Sequence, residues 1–202
     1  MKHVWKFSLL AIVIVGLLVG AKKKTEEDDS EKPERPDPSQ MEGKAAPDFT
    51  LPHLGDKKTT TSLSEEKGNV VVIVFWASYC PGCKEFLPDA LQKWSEDKKG
   101  AERGLKIISI DRKKDKDARA KKFLEDNECT FTALKDNEGE FEKNYLASGT
   151  PTIYVIGRDG TIKSTYVGYA DFVGKQIKSD INKALAENAP KPSKSSKPKN
   201  HS

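Results

Sequence analysis

In VFWASYCPGCKEFLP, residues 74–88, two cysteines stand three positions apart, directly after an apolar run and at the head of an amphipathic one. Such a pair can close a disulfide staple, supply half of a metal site, or exchange electrons. As a staple it constrains little, because closing a four-residue loop is worth only about 2 kcal/mol, against about 3 kcal/mol for fifteen residues. A structural zinc needs four ligands. Beyond Cys80 and Cys83 the chain offers Cys129, His53, and His3 and His201 near its ends, with no second C-x-x-C and no H-x-x-x-H. Two thiolates and one histidine would suffice for a copper carrier. The two-residue gap is the redox spacing, however, and His53 in LPHLGD reads as a loop residue with nothing to aim it.

Redox chemistry fits on physical grounds. A cysteine just before a helix faces unpaired backbone N–H groups and the positive end of the helix dipole, which stabilise a thiolate. Cys80 has that place. Pro81 suits the first helical position, where its missing N–H costs nothing, and Gly82 opens access to the sulfur. One turn on, Cys83 is more shielded and within reach of Cys80, able to resolve a mixed disulfide. Trp76 and Tyr79 flank the pair. A second constellation lies far away in SGTPTIYVI, residues 148–156, where Pro151 opens a strand. A cis Thr150–Pro151 bond would bring that loop against the cysteines and offer the Thr150 backbone to a substrate strand.

The elements that must position these residues alternate along the chain. NVVVIVFW, residues 69–76, is a β-branched apolar run, the pattern of a central strand covered on both faces. Phe86, Leu87, Ala90, Leu91 and Trp94 recur at helical steps, which predicts a helix over residues 81–99 kinked at Pro88. LKIISID (105–111) reads as a second buried strand, residues 115–126 as a helix, TFTAL (130–134) as a short strand and 138–147 as a helix. Arg158-Asp159-Gly160 marks a hairpin, and Val173, Ile177, Ile181, Ala184 and Leu185 share one face of a last helix. A parallel βαβ unit joined to an antiparallel ββα unit is an α/β fold, a mixed central sheet flanked by helices.

The ends differ in composition from this domain, assigned to residues 45–188. Residues 1–21 carry Lys2 and Lys6 and then fifteen uncharged positions, roughly 22 Å of helix, which reads as a signal peptide or membrane anchor. Residues 22–44, charged and proline-containing, read as an extended linker, and residues 189–202 as a disordered basic tail. Positive and negative charges balance within 45–188, at 23 of each, so the net charge of +4 comes from the ends. That removes the main electrostatic case for a nucleic-acid partner. Cys129 reads as a small packed apolar residue.

FWAS-x-C-x-x-C together with G-T-P-T, and APDFTLPHLGD at the entry, resembles the exported thiol–disulfide oxidoreductases of the TlpA/ResA type, within the thioredoxin-like superfamily. The resemblance covers residues 45–188. It implies a thioredoxin-like fold with an N-terminal extension, with protein thiols and disulfides of the cell envelope or periplasm as substrates. It also implies a reductant's role, cytochrome c maturation being one example. The chain departs from the pattern at three places. Val74 stands where many thioredoxins bury a proton-relay aspartate. Phe86 stands where reductive members carry a glutamate, leaving Glu85, one residue earlier, as the candidate acid/base. The inter-cysteine dipeptide is Pro-Gly, so reductant, oxidase and isomerase are not separated by it. The entry segment also occurs in peroxiredoxins, but Ala77 lacks the threonine hydroxyl that helps them bind peroxide. With no nucleotide or flavin motif, the expected cofactor is none beyond the Cys80–Cys83 disulfide, the expected electron donor is a membrane protein, and the expected location is exported and tethered.

Overall fold

A computed structural model describes residues 35–187. The expected signal or anchor at 1–21 and the tail at 189–202 lie outside the described residues, among which no helix is long and apolar enough to cross a membrane. Seven strands, β1 (Thr50–His53), β2 (Asp56–Ser62), β3 (Val70–Trp76), β4 (Leu105–Asp111), β5 (Thr132–Lys135), β6 (Thr152–Ile156) and β7 (Ile162–Val167), form one sheet in the order β2-β1-β5-β4-β3-β6-β7. β3, β4 and β5 run parallel, and the remaining pairings are antiparallel. The helices are α1 (Pro81–Phe86), α2 (Gln92–Ser95), α3 (Lys98–Glu102), α4 (Asp117–Asp126), α5 (Glu140–Asn144) and α6 (Asp171–Ala186).

Every residue of β3 is buried, and strand alternation divides its side chains between two cores. Val70, Val72, Val74 and Trp76 face the core that includes Phe86, Leu124, Ile177 and Ile181 from α1, α4 and α6. Val71, Ile73 and Phe75 face the core closed by Phe141 of α5 and by Tyr145 and Tyr154. In that second core the Phe141 ring stacks on Tyr145 with centroids 4.1 Å apart and on Phe75 at 5.7 Å. The two buried tyrosines keep their hydroxyls satisfied, Tyr145 donating to the Pro47 carbonyl at 2.6 Å and Tyr154 to the Tyr145 carbonyl at 2.8 Å.

Three sequence expectations change. The helix predicted over 81–99 is α1, a π-helical turn at Leu87–Leu91, and α2, with α3 a separate helix capped by Asp97, which accepts the Gly100 N–H at 3.1 Å. Pro88 has no N–H to give the ladder. The chain widens by one residue there, Gln92 N–H bonding to Leu87 O, and carries the helix through. The β1–β2 hairpin was not foreseen, since β2 is polar and mostly exposed and carries no apolar pattern. Finally, the packed chain starts before residue 45. Pro38–Met41 forms a 3₁₀ turn capped by Asp37, Met41 is buried in the second core, and Gly43 N–H bonds to Ile162 O at 2.8 Å. The extended linker is thus corrected over this stretch, because one apolar side chain and a strand edge suffice to dock it.

Phe141 joins α5 to β3 and to both tyrosines, so Phe141→Ala is expected to lower the unfolding free energy by about 3–5 kcal/mol. Urea denaturation followed by near-ultraviolet circular dichroism measures it, and a loss below about 1 kcal/mol would show that this aromatic core does not hold the sheet.

Candidate active site

β3 ends at Trp76, the loop 77–79 follows, and Cys80 caps α1 in an extended conformation, with φ −79° and ψ 121°. Its sulfur accepts the Cys83 N–H at 3.3 Å and donates its own hydrogen to the Thr150 carbonyl at 3.1 Å. Both cysteines are free thiols. Cys80 is 6 % exposed and Cys83 is fully enclosed, so Cys80 is the sulfur that reaches the surface. Burial, aided by the hydrogen bond with Cys80, pushes the Cys83 thiol well above its ordinary value. A thiol held protonated behind an accessible one can resolve a mixed disulfide but is slow to start one.

The Thr150–Pro151 bond is cis. Its loop reaches the cysteines because β6 pairs antiparallel with β3: Thr152, the first residue of β6, lies opposite Phe75, near the end of β3. A Cβ on Gly82 would stand 3.4 Å from the Pro151 ring and 4.0 Å from Tyr169, so Gly82 lies where α1 meets both loops. The Thr150 carbonyl, expected to be free for a substrate strand, is taken by the Cys80 thiol in this dithiol state.

With this geometry in place, comparisons with known proteins give a consistent picture. The AhpC/TSA family model matches residues 43–165. The chain belongs to the AhpC/TSA family. Within it, the chain is 33 % identical over 134 residues to the thioredoxin-like protein YneN of Bacillus subtilis, covering 63 % of this chain and 72 % of that one. It is 30 % identical over 128 residues to the thiol-disulfide oxidoreductase ResA of Oceanobacillus iheyensis, covering 62 % and 65 %. A crystal structure from Chlorobium tepidum assigned as the thiol:disulfide interchange protein DsbE superposes with a TM-score of 0.64 at 30 % identity, covering 72 % of this chain and 98 % of that one. The fold is thioredoxin-like, and the chain is a thiol–disulfide oxidoreductase of the ResA/DsbE type.

For this family member the structure redistributes several expected site residues. Trp76, expected to flank the substrate groove, is fully buried against Phe123 with centroids 5.6 Å apart, because strand alternation turns it into the α1 and α4 core. In this dithiol state its ring presents no surface to a substrate. Tyr79 does face solvent, at 43 % exposure, with the Arg119 guanidinium 5.2 Å from its ring centre. Pro81 is exposed at the head of α1, and Glu85 is exposed on its outer side. Glu85 lines an open groove of about 450 Å³ with Asp89, Tyr169 and Asp171, a groove that neither cysteine lines. Val74 is fully buried opposite Ser109, with no acid at the relay position. His53 ends β1 instead of lying in a loop, its Nε2 hydrogen-bonded to Thr61 Oγ1 at 2.9 Å. β5 and β4 separate it from β3, so the copper set of Cys80, Cys83 and His53 is not assembled. Cys129 is half-buried against the first core, and burial pushes its thiol up to about 11.

Residues the sequence reading passed over complete the site. Gly168 donates its N–H to the Pro151 carbonyl at 2.8 Å, and Tyr169 stacks on Phe86 at 4.6 Å beside Gly82. Val167 and Phe172 on either side of them are exposed apolar side chains, at 57 % and 75 %. The signal for them was the Gly168-Tyr169 pair between the last strand and the last helix.

Because Cys83 is enclosed and held protonated, iodoacetamide at neutral pH is expected to modify Cys80 in the reduced native protein and to reach Cys83 only after unfolding. Peptide mass mapping reads the outcome, and equal rates at the two sulfurs would contradict the arrangement.

Proposed function

We propose that the chain exchanges disulfides with envelope proteins through Cys80 and Cys83 and runs mainly as a reductant. The observation that carries this is the position of the Cys80 sulfur, between the Cys83 amide and the Thr150 carbonyl at the one point where the pair meets the surface. As a thiolate, Cys80 attacks a substrate disulfide, forming a mixed disulfide and releasing one substrate sulfur as its thiolate. Cys83 then attacks Cys80, its proton leaves with the second substrate sulfur, and the substrate departs as a dithiol. Two electrons have passed to it, and the chain holds the Cys80–Cys83 disulfide. No further cofactor enters the cycle, and a dithiol donor at the membrane restores the reduced pair. Tyr79, Gly82, Thr150 and Pro151 line the approach. With Trp76 withdrawn into the core, Tyr169 and Phe172 are better placed to meet a substrate.

The charge around the pair supports the reducing direction. A Cys80 thiolate would receive one amide, at 3.3 Å. The groove at Tyr169 sets Glu85, Asp89 and Asp171 against Lys93, Lys175 and Lys178, so it brings no excess of positive charge to the pair. On the other side Arg119, over the Tyr79 ring, is already paired with Asp115. A thiolate held by one amide and, among the described residues, no free cation leaves the disulfide favoured over the dithiol, which is the property of a reductant. Export and tethering through residues 1–21 complete the reading, supported by the composition of that segment.

Two measurements test it. A Cys83→Ala variant of the full chain is expected to accumulate mixed disulfides through Cys80, visible as reducible adducts on gels; their absence under conditions that trap a known exchanger sinks the exchange reading. A dithiothreitol titration followed by thiol trapping should give a two-electron midpoint near or below about −250 mV, whereas a value above about −150 mV would replace the reductant with an oxidase or isomerase.

A further inference from the structure

The loop that delivers Cys80 is held by a carboxylate from elsewhere in the chain. Asp115 lies in the turn after β4, and its side chain is fully enclosed. One of its oxygens accepts the Ser78 backbone N–H at 2.5 Å. The other accepts the Lys116 N–H at 2.8 Å and both Nε and Nη2 of Arg119, at 3.1 Å and 2.9 Å. Against the cost of burial, the bonds from Ser78 and then Arg119 and Lys116 hold this carboxyl below its ordinary value, as an anion. Ser78 is the middle residue of the loop 77–79, and the Cys80 N–H ties back to the Ala77 carbonyl at 3.1 Å.

The turn that carries Asp115 is itself pinned from below. Lys135 of β5, 4 % exposed, donates through Nζ to Asp111 Oδ2 at 2.6 Å and to the carbonyls of Arg112 and Asp115, each at 2.8 Å, with Asp117 Oδ1 3.4 Å away. Burial pushes the Asp111 carboxyl up to about 7, against the pull of that ammonium. A buried ion network of this kind is poor value for stability alone, since apolar side chains of like volume often serve as well. What it does supply is direction: four donors converge on one carboxylate and one ammonium faces four oxygens, which fixes where the Ser78 amide stands.

We propose that Asp115 is a positioning residue for the redox thiol, holding the Ser78 amide so that the Cys80 sulfur stays on the Cys83 N–H, with Lys135 holding Asp115 in turn. This rests on Cys80 being the attacking thiol. The Cys80 alkylation rate, read against pH by mass mapping of the reduced full chain, tests it. In Asp115→Asn the midpoint of that profile is expected to move up by about one pH unit and the rate at neutral pH to fall about tenfold, because a thiolate shifted off its amide loses a charge-assisted hydrogen bond. Removing a negative charge would by itself move the midpoint down. A purely structural role would lower the melting temperature and leave the midpoint in place. Either of those results overturns the proposal. Asp126→Asn, an exposed acid of α4 paired with Lys122, serves as the control for charge loss and leaves the profile unchanged. Should Asp115→Asn not fold, Arg119→Lys carries the test: it keeps the charge of a half-exposed residue and loses the two-nitrogen grip on Asp115, with the midpoint expected to move up by about half a pH unit and the rate at neutral pH to fall about threefold, and an unmoved midpoint decisive against the idea. If wild-type Cys80 neither alkylates selectively nor traps a substrate, the exchange reading fails and this proposal with it; an unmoved midpoint in a protein whose Cys80 does react overturns this proposal alone.

Discussion

The pairing of β3 with β4 on one side and β6 on the other is the constraint on which the site depends. It makes β3 the middle of the sheet and buries all seven of its residues, so its end is the best-fixed point in the fold. Cys80 follows four residues later at the head of α1. Because β6 runs back along β3, the Thr150–Pro151 loop must arrive at the same end. Two segments seventy residues apart thus meet through backbone hydrogen bonds before any side chain is considered, and the contact between Cys80 and the Thr150 carbonyl follows from that registry.

Around this point the two flanks differ in kind. On one side, α1 and the loop into α6 present Glu85, Asp89 and Asp171 around Tyr169, with the exposed apolar side chains Val167 and Phe172 close by. On the other, the turn after β4 carries Asp115 and Arg119, tied inward to Lys135. The first flank is open and suited to meeting another protein, since exposed apolar groups beside polar ones are what interfaces use. The second is closed and satisfied, suited to keeping the loop still. Cys83, enclosed between them, keeps its proton and its place behind Cys80.

Much of this was legible in the residues. The uninterrupted apolar run of β3 and the Asp-Gly hairpin signal each state a local preference that the tertiary structure had no cause to override, and β3, β4, α4 and the β6–β7 hairpin stand where those patterns place them. The misses share a different origin. β2 is polar and pairs through its backbone, which leaves no trace in side-chain type. Met41 looked like a lone apolar residue in a charged linker, yet a single side chain docks when a strand edge is waiting for it. Trp76 looked like a neighbour of the site because it is four residues from Cys80, but strand alternation points it away. His53 gained a strand and a threonine partner for the same non-local reason.

By itself the sequence determined the chemistry and its local stage: two thiols at redox spacing, a proline and glycine that suit the start of a helix, a proline at the opening of a distant strand, and the order of strands and helices. These follow from residue types and short periodicities, which act within a few positions of the chain. Only the tertiary structure decided that Trp76 turns away from the site, that Val74 has no acidic substitute in its place, that Glu85 faces a groove beside Tyr169, and that Asp115 reaches across to the amide of Ser78. Each of those depends on which segments are packed together, and burial and hydrogen bonding between remote segments are set by the whole fold rather than by any stretch of it.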